Sequence, residues 1–216
     1  ASLFNKLRAA VKEGINNHAI ISNEEEKRVL HGWGHNRSYL VGSFNDPDGY
    51  NRNSLTSNAF YVISKMIDEN PSMKDELMKS FNRLDSKYGL KTFEPAFENF
   101  HGFGRIINLP AGTAENAATY IHATLFGTLA LYMLGESKFA NEQIVKILPQ
   151  THSHISTSPF IMSNSYVHNE KLNMDGESMS DWYTGSSNTL LKTLIRGLFG
   201  LEVYFDRFIL KPSNVF

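Results

Sequence analysis

The stretch "MSDWYTGSSNTLLKTLIRGLFG", residues 179–200, combines a helix pattern with an unusual beginning. Its first half places the hydroxyl groups and backbone N–H groups of residues 184–187 at the positive end of the predicted helix. Such an end can hold an anion, and Gly185 permits a close approach. Thr184 or Ser186 can equally serve only as the helix cap, and this segment read alone favours the cap. The second half predicts a buried helix because its apolar residues recur at helical spacing: Leu190, Leu191, Leu194, Ile195, Leu198 and Phe199.

The same periodicity predicts further helices elsewhere in the chain, so the predicted fold class is all-α. Two long loops rich in Asn, Ser, Phe, Tyr and His, residues 89–112 and 151–182, separate groups of helices. Loops of that length inside a domain are usually functional. Short strands are expected at 37–44 and 204–210, and a charged loop at 24–28. The predicted helices cover residues 1–18, 54–67, 71–84, 114–134 and 139–148.

The composition excludes several classes of protein. The 216 residues are 41% hydrophobic with a net charge of −1, which gives no electrostatic reason to expect nucleic acid or an anionic membrane as a partner. No apolar run is long enough to cross a bilayer. The absence of cysteine excludes disulfides and thiolate metal sites and fits a cytoplasmic protein. Because the chain begins within a helical pattern and ends just after a strand-like run, we expect a piece of a longer protein.

A second candidate for chemistry is "PAGTAENAATYIHA", residues 110–123. Glu115 and His122 are seven positions apart, so on a helix both would lie on one face, with Asn116 beside the carboxylate. The small pair Ala117-Ala118 would let another group approach the backbone. The alternative is a glutamate stabilised by the helix dipole and a histidine satisfied in the core.

The remaining histidines do not form a recognisable ligand set, so no metal site is predicted. His152 and His154 alternate in a polar loop, and His31 and His35 flank Trp33. Helices whose loops carry aromatic and amide side chains suit a sugar site, since rings stack on C–H faces and amides bond hydroxyl groups. Aromatic loops also pack against neighbouring subunits, which leaves a homodimer open as well.

Taken together, these segments resemble the C-terminal half of the catalytic domain of glycoside hydrolase family 94, which contains inverting phosphorylases of cellobiose, chitobiose and β-oligoglucans. "LPAGTAENAATYIHA" is similar to the family's Glu-Asn-Gly-Gly-x-x-x-His motif, with Ala117 and Ala118 in place of the glycines. "DWYTGSS" is similar to its Trp-x-Thr-Gly motif. "SPFIMSNSYVHNE" and "DGESMSDWYTGSS" are closest to the β-1,2-oligoglucan phosphorylase branch. The other matching segments are "LFNKLRAAVKEGINNHA", "HGWGHNRSYLVGSFNDPDG", "LDSKYGLKTFEPAF" and "GLEVYFDRFILKPS".

The resemblance implies a fold and a reaction. Residues 1–200 would form the C-terminal half of an (α/α)6 barrel, and residues 201–216 would join it to a C-terminal β-sandwich. The reaction would be reversible inverting phosphorolysis of a β-linked gluco-oligosaccharide, giving α-glucose 1-phosphate. Inorganic phosphate would be the co-substrate, with no cofactor and no metal. Alternatives are an inverting hydrolase or transglycosylase on the same barrel, or a non-catalytic carbohydrate-binding fragment; glucose and N-acetylglucosamine both stay open as the sugar.

The resemblance also assigns roles to residues. It implies sugar binding by Glu115, Asn116 and Trp182. The phosphate-binding residues would be His122, Thr184 and Gly185. The family's catalytic Asp and its phosphate-binding Arg lie upstream of the matched segments, so no catalytic residue is expected in this chain. Its partners would then be an oligosaccharide, phosphate and the N-terminal half of the same enzyme, and the chain alone should be inactive.

Overall fold

The structure, a computed structural model, describes residues 2–18, 20–22, 27–29, 52–98, 106, 108–152, 158–180 and 184–215. These residues are mainly helical. Single turns of 3-10 helix cover Met66–Glu69, Pro71–Met73 and Pro149–His152, and the last helix widens into a π-helical turn at Leu194–Leu198. The α-helices are α1 (Ser2–His18), α2 (Leu55–Ile63), α3 (Lys74–Leu84), α4 (Ile121–Met133), α5 (Ser137–Ile147) and α6 (Ser186–Thr193).

Short antiparallel strands connect the helices. The hairpin of β1 (Ile20–Ser22) and β2 (Lys27–Val29) follows α1. Strand β3 (Asn53–Ser54) pairs with β4 (Phe93–Glu94) just before α2. A three-stranded sheet has the order β5 (Thr119–Tyr120), β6 (Ser165–Tyr166) and β7 (Ser178–Met179), and a final hairpin joins β8 (Leu201–Val203) to β9 (Phe208–Leu210).

Helix α4 lies at the centre of the described core. It packs against α2, α5 and α6, and ten of its residues, from Ile121 to Tyr132, are buried. Such a helix is apolar nearly all round, as a central helix should be. Gly127 lets α2 approach closely, because a Cβ there would lie 2.7 Å from the side chains of Leu55 and Leu90. Among the described residues no helix is long and apolar enough to cross a membrane.

Most of the predicted helices are confirmed. Helices α1, α2, α3, α5 and α6 lie within a few residues of the predicted ranges. The predicted strand at 37–44 lies outside the described residues, as do His31, Trp33, His35 and His154.

Three predictions of secondary structure were wrong, wholly or in part. The helix predicted from residue 114 begins only at Ile121, because the preceding residues form turns in which Ala114 (φ 44°) and Ala117 (φ 66°) are left-handed. The strand predicted at 204–210 is confirmed only at Phe208–Leu210, because residues 204–207 form the turn of the hairpin. Lys27 and Arg28 belong to β2 rather than to a charged loop.

Candidate functional site

The three-stranded sheet brings two of the sequence motifs together. Strand β5 leads from the turn that carries Glu115 into α4, and it pairs with β6 so that Tyr120 lies opposite Ser165. The Ile121 N–H then donates to the Asn164 carbonyl oxygen at 2.9 Å. The start of α4 is therefore fixed against the segment that the sequence places in a long polar loop.

Glu115 lies in a tight turn and not on α4. Its carbonyl oxygen accepts hydrogen bonds from the Thr92 hydroxyl at 3.3 Å and from the Ala117 N–H at 3.1 Å. The prediction that Glu115 and His122 share one helical face was therefore wrong. The half-buried side chain of Glu115 lines a cleft of about 380 Å³ together with Tyr120, Asn164 and Ser180.

Tyr120 and Asn164 are polar residues of this cleft that sequence reasoning did not select. The Asn164 amide donates to the Tyr120 hydroxyl oxygen at 3.2 Å. The two residues are 44 positions apart, and only the pairing of β5 with β6 makes them neighbours. A hydroxyl, an amide and a carboxylate along one cleft are the groups that bind sugar hydroxyls.

The side chain of Asn116 is fully buried and does not line the cleft. Its Oδ1 accepts from the Phe97 N–H at 2.8 Å, and its Nδ2 donates to the carbonyl oxygens of Phe97 and Leu109, each at 2.9 Å. These bonds use both amide protons of Asn116. Sugar binding by Asn116 stays a prediction, since all of these contacts are to backbone.

A half-buried histidine, His168, supports the turn from its other side. The backbone N–H of His168 donates to the Gly112 carbonyl oxygen at 2.8 Å, and Asn169 Nδ2 donates to the Ala111 carbonyl oxygen at 2.7 Å. His168 Nε2 lies 2.8 Å from the Thr119 hydroxyl. Burial lowers the pKa of His168 to about 4, so the ring is neutral and acts as part of the framework.

His122 and Gly185 are brought into direct contact, although they are distant in sequence. His122 lies in the first turn of α4 with its ring 4.9 Å from that of Phe126. A Cβ added at Gly185 would lie 3.2 Å from both Nδ1 and Cε1 of His122. The imidazole therefore stands directly over the backbone at which α6 begins. Within the part of the chain that the structure describes, its ring nitrogens make no hydrogen bond.

The surroundings of His122 favour the neutral imidazole. Its pKa is lowered from the usual value, first by burial and second by the positive charge of Lys192. Lys192, on α6, adds positive potential that sequence reasoning did not notice.

Thr184 lies one residue before Gly185, which is the N-cap of α6, so the prediction that Thr184 or Ser186 caps this helix was wrong. Thr184 Oγ1 accepts from the Ser186 N–H at 3.1 Å and lies 2.5 Å from the Ser186 hydroxyl. The buried Ser186 hydroxyl in turn donates to the Ser163 carbonyl oxygen at 3.1 Å. The other N–H groups in the first turn of a helix have no carbonyl acceptor inside the helix. They therefore remain as donors for an anion, beside the Ser186 N–H that bonds to Thr184.

The other candidates do not join this site. His152 is buried, with its Nε2 bonded to the Lys146 carbonyl oxygen and its ring 4.2 Å from that of Tyr166, so it is a core residue. Trp182 lies outside the described residues. Across the ranges that are described, no group of three or more His, Cys, Asp or Glu side chains is placed to hold a metal ion.

Comparison with known proteins identifies the family. Residues 4–200 match the model of the glycosyl hydrolase 94 superfamily, catalytic domain. The chain therefore belongs to this family, as the sequence motifs predicted.

Two curated relatives are named as phosphorylases. The chain is 26% identical over 152 residues to cellobionic acid phosphorylase from Neurospora crassa, covering 66% of this chain and 19% of the relative. It is 33% identical over 76 residues to 3-O-beta-D-glucopyranosyl-beta-D-glucuronide phosphorylase from Paenibacillus borealis, covering 35% of this chain and 10% of the relative. The matched segments thus span a fifth or less of the length of these relatives.

Proposed function

We propose that the protein containing this chain catalyses reversible inverting phosphorolysis of a β-linked gluco-oligosaccharide and releases α-glucose 1-phosphate. In this proposal the chain supplies the phosphate-binding part of an (α/α)6 barrel. Membership of the family and the names of both relatives support phosphorolysis of a β-linked sugar in general. The observation that carries the proposal is the contact of the His122 ring with Gly185 at the beginning of α6.

That contact combines two features that are weak when separate. The first turn of α6 offers backbone N–H donors and the positive end of a helix dipole. The His122 ring faces the same point, and Lys192 adds a positive charge nearby. A phosphate bound there would accept hydrogen bonds from the backbone and from the imidazole. The anion would also stabilise the imidazolium and so raise the pKa that burial lowers.

A phosphate site suits the reaction better than a second carboxylate would. Inverting hydrolysis needs one carboxylic acid to protonate the leaving oxygen and one carboxylate to activate water. Phosphate is already an anionic nucleophile, so its oxygen forms the new bond to the anomeric carbon while the glycosidic bond breaks. The leaving oxygen still needs a proton, which we assign to an acid in the part of the catalytic domain outside this chain.

Glu115 is the residue that we propose for the sugar. Its side chain lines a cleft with Tyr120 and Asn164, and the sheet that contains β5 places this cleft close to the first turn of α4. A carboxylate accepts hydrogen bonds from sugar hydroxyls and strengthens them by its charge.

The exposed face of α1 is where we propose that the rest of the catalytic domain packs. Leu3, Phe4, Leu7 and Val11 form one apolar stripe and are between 53% and 75% exposed. The stripe borders a groove of about 550 Å³ between α1 and α2. A contiguous apolar surface of this kind normally has a partner, and both relatives extend far beyond the matched region.

The proposal is tested by measuring sugar release with and without phosphate, using this chain alone and the complete protein. We expect the complete protein to release α-glucose 1-phosphate only when phosphate is present, and the isolated chain to be inactive. Phosphate-independent release of free glucose would instead support the hydrolase. Turnover by the purified chain without any partner would contradict the division of the site between two parts.

A further inference from the structure

We infer that Asn116 is a positioning residue, whose amide ties Phe97 and Leu109 to the turn that presents Glu115 to the sugar. The inference rests on the proposed function, because it concerns how that site is held. It differs from the sugar-binding role that the family motif implies for Asn116. The carboxylate of Glu115 would contact the sugar, and Asn116 would act through it.

The amide of Asn116 behaves like one residue of a β-ladder. Its Oδ1 and Nδ2 pair with the N–H and the carbonyl oxygen of the same residue, Phe97, at 2.8 and 2.9 Å. The second Nδ2 proton is donated to the Leu109 carbonyl oxygen at 2.9 Å. Since the residue has no exposed surface, no sugar hydroxyl can reach this amide without displacing the backbone groups that it holds.

The backbone of Asn116 connects these hydrogen bonds to the turn that carries Glu115. The Asn116 N–H donates to the Thr113 carbonyl oxygen at 2.8 Å, and the Asn116 carbonyl oxygen accepts from the Gly112 N–H at 2.7 Å. These bonds close a turn in which Ala114 and Ala117, on either side of Glu115 and Asn116, have positive φ. A left-handed conformation is strained for alanine, so the turn needs contacts from outside to hold it.

An asparagine is the side chain that this position requires. An aspartate cannot donate to two carbonyl oxygens, and a leucine would leave one N–H and two carbonyl oxygens buried without partners. The geometric requirement on Glu115 is also strict, because a displacement of about 1 Å in a catalytic site can reduce the rate about 100-fold.

The test is a double-mutant cycle in the complete protein, with kcat/KM for sugar release measured both with and without phosphate. The variants are Asn116→Ala, Glu115→Gln and the two together. Asn116→Ser, which keeps one hydrogen-bonding group in the cavity, replaces Asn116→Ala if that variant does not fold. Asn53→Ala is the matched control, because Asn53 is an equally buried amide that donates to the Ser80 carbonyl oxygen at 3.0 Å.

We expect Asn116→Ala to lower kcat/KM at least about tenfold in the wild-type background, and less than about threefold when Glu115 is already Gln. Asn53→Ala should lower the melting temperature comparably but leave kcat/KM within about threefold. If the kcat/KM losses of Asn116→Ala and Glu115→Gln multiply in the double variant, the inference is overturned. An equal kcat/KM loss in Asn53→Ala would overturn it too, because the effect would then be general destabilisation.

Monodeoxy substrates distinguish positioning from direct contact. If Asn116 binds one sugar hydroxyl, the loss caused by Asn116→Ala should vanish for the substrate that lacks that hydroxyl. We expect the loss to be similar for each deoxy substrate except those lacking a hydroxyl that Glu115 binds. Sugar release that does not need phosphate would contradict the proposed function but not this inference, since the double-mutant cycle can be measured on hydrolysis as well as on phosphorolysis.

Discussion

The turn that carries Glu115 and the beginning of α6 are held in different ways. The turn is held by bonds from outside it: Phe97 and His168, which are distant in sequence, and the nearby Leu109 all bond to it. The beginning of α6 has a local bond, in which Thr184 accepts from the Ser186 N–H, and one long-range bond, from the Ser186 hydroxyl to the Ser163 carbonyl oxygen. The turn is therefore fixed by several tertiary bonds, and the beginning of α6 by fewer.

This difference sets what each region can do. A turn anchored on several sides keeps the Glu115 carboxylate in one place. A group that must match the positions of sugar hydroxyls requires this. A helix end with one bonded N–H and open donors beside it can accept an anion without rearrangement. Substitutions of the residues that anchor the turn should therefore act on stability and sugar binding together, whereas substitutions at α6 should act on phosphate binding alone.

The largest effect is expected from Gly112→Ala in the turn. A Cβ at Gly112 would lie 1.9 Å from the His168 carbonyl oxygen, and Gly112 has φ +76°. We expect a loss of about 2–4 kcal/mol in the free energy of unfolding, because the backbone of the turn or of residue 168 must move. The measurement is denaturant unfolding of the purified protein.

Gly135→Ala is the control for this substitution. Gly135 has φ +82°, yet a Cβ there would meet nothing within 4 Å. It therefore isolates the cost of a left-handed alanine, about 1 kcal/mol. If both variants lose the same free energy of unfolding, close packing against His168 contributes nothing and the turn is less tightly held than the contacts indicate.

The second effect concerns the carboxylate that the turn presents. In the complete protein, Glu115→Gln should lower kcat/KM by an amount on the order of 1.5–3 kcal/mol, which is the value of a hydrogen bond to a charged group. Its melting temperature should stay unchanged. Glu142→Gln, an exposed position on α5, is the control. Kinetics that match this control would return Glu115 to a structural role.

The same difference explains what the sequence could and could not predict. Helix α6 was predicted because Leu190, Leu194 and their neighbours have a local period. The turn was mistaken for helix because Ala114, Ala117 and Ala118 are strong helix formers, and bonds from distant residues override that propensity. The family motif assigned roles to Glu115, His122, Thr184 and Gly185, and those roles stay predictions. The contact between His122 and Gly185 could not be read from the sequence, because it depends on the packing of α4 against α6.

The third prediction tests whether the His122 imidazole binds the anion, and it uses the pH dependence of binding. Burial and Lys192 lower the pKa of His122, so the free ring is neutral near pH 7. An anion would raise that pKa, so binding takes up a proton and tightens as the pH falls. The tightening should cease below the free pKa, which lies under 6.5. Sulfate is the suitable probe, because its own charge is constant between pH 5 and 8.

We expect sulfate inhibition of the complete protein to strengthen about tenfold over this pH range, the value of one charge-assisted bond. His122→Gln keeps an N–H donor but cannot be protonated, so its profile should be flat. A flat profile in the wild type, or the same slope in both proteins, would mean that His122 does not bind the anion.

The smallest effect is expected from Gly185→Ala, and it asks whether α6 affects phosphate alone. Gly185 has φ −86°, which alanine adopts without strain. The new Cβ would lie 3.2 Å from the His122 ring, a contact that a slight shift of that side chain relieves. Stability should therefore change by less than about 1 kcal/mol. Gly14→Ala on α1, where a Cβ would have nothing within 4 Å, is the control for replacing a glycine without a new contact. In the complete protein the KM for phosphate should rise a few-fold while the KM for the oligosaccharide stays constant. A rise in both KM values would mean that a change at the beginning of α6 also alters sugar binding. The contrast between the anchored turn and the beginning of α6 would then not hold.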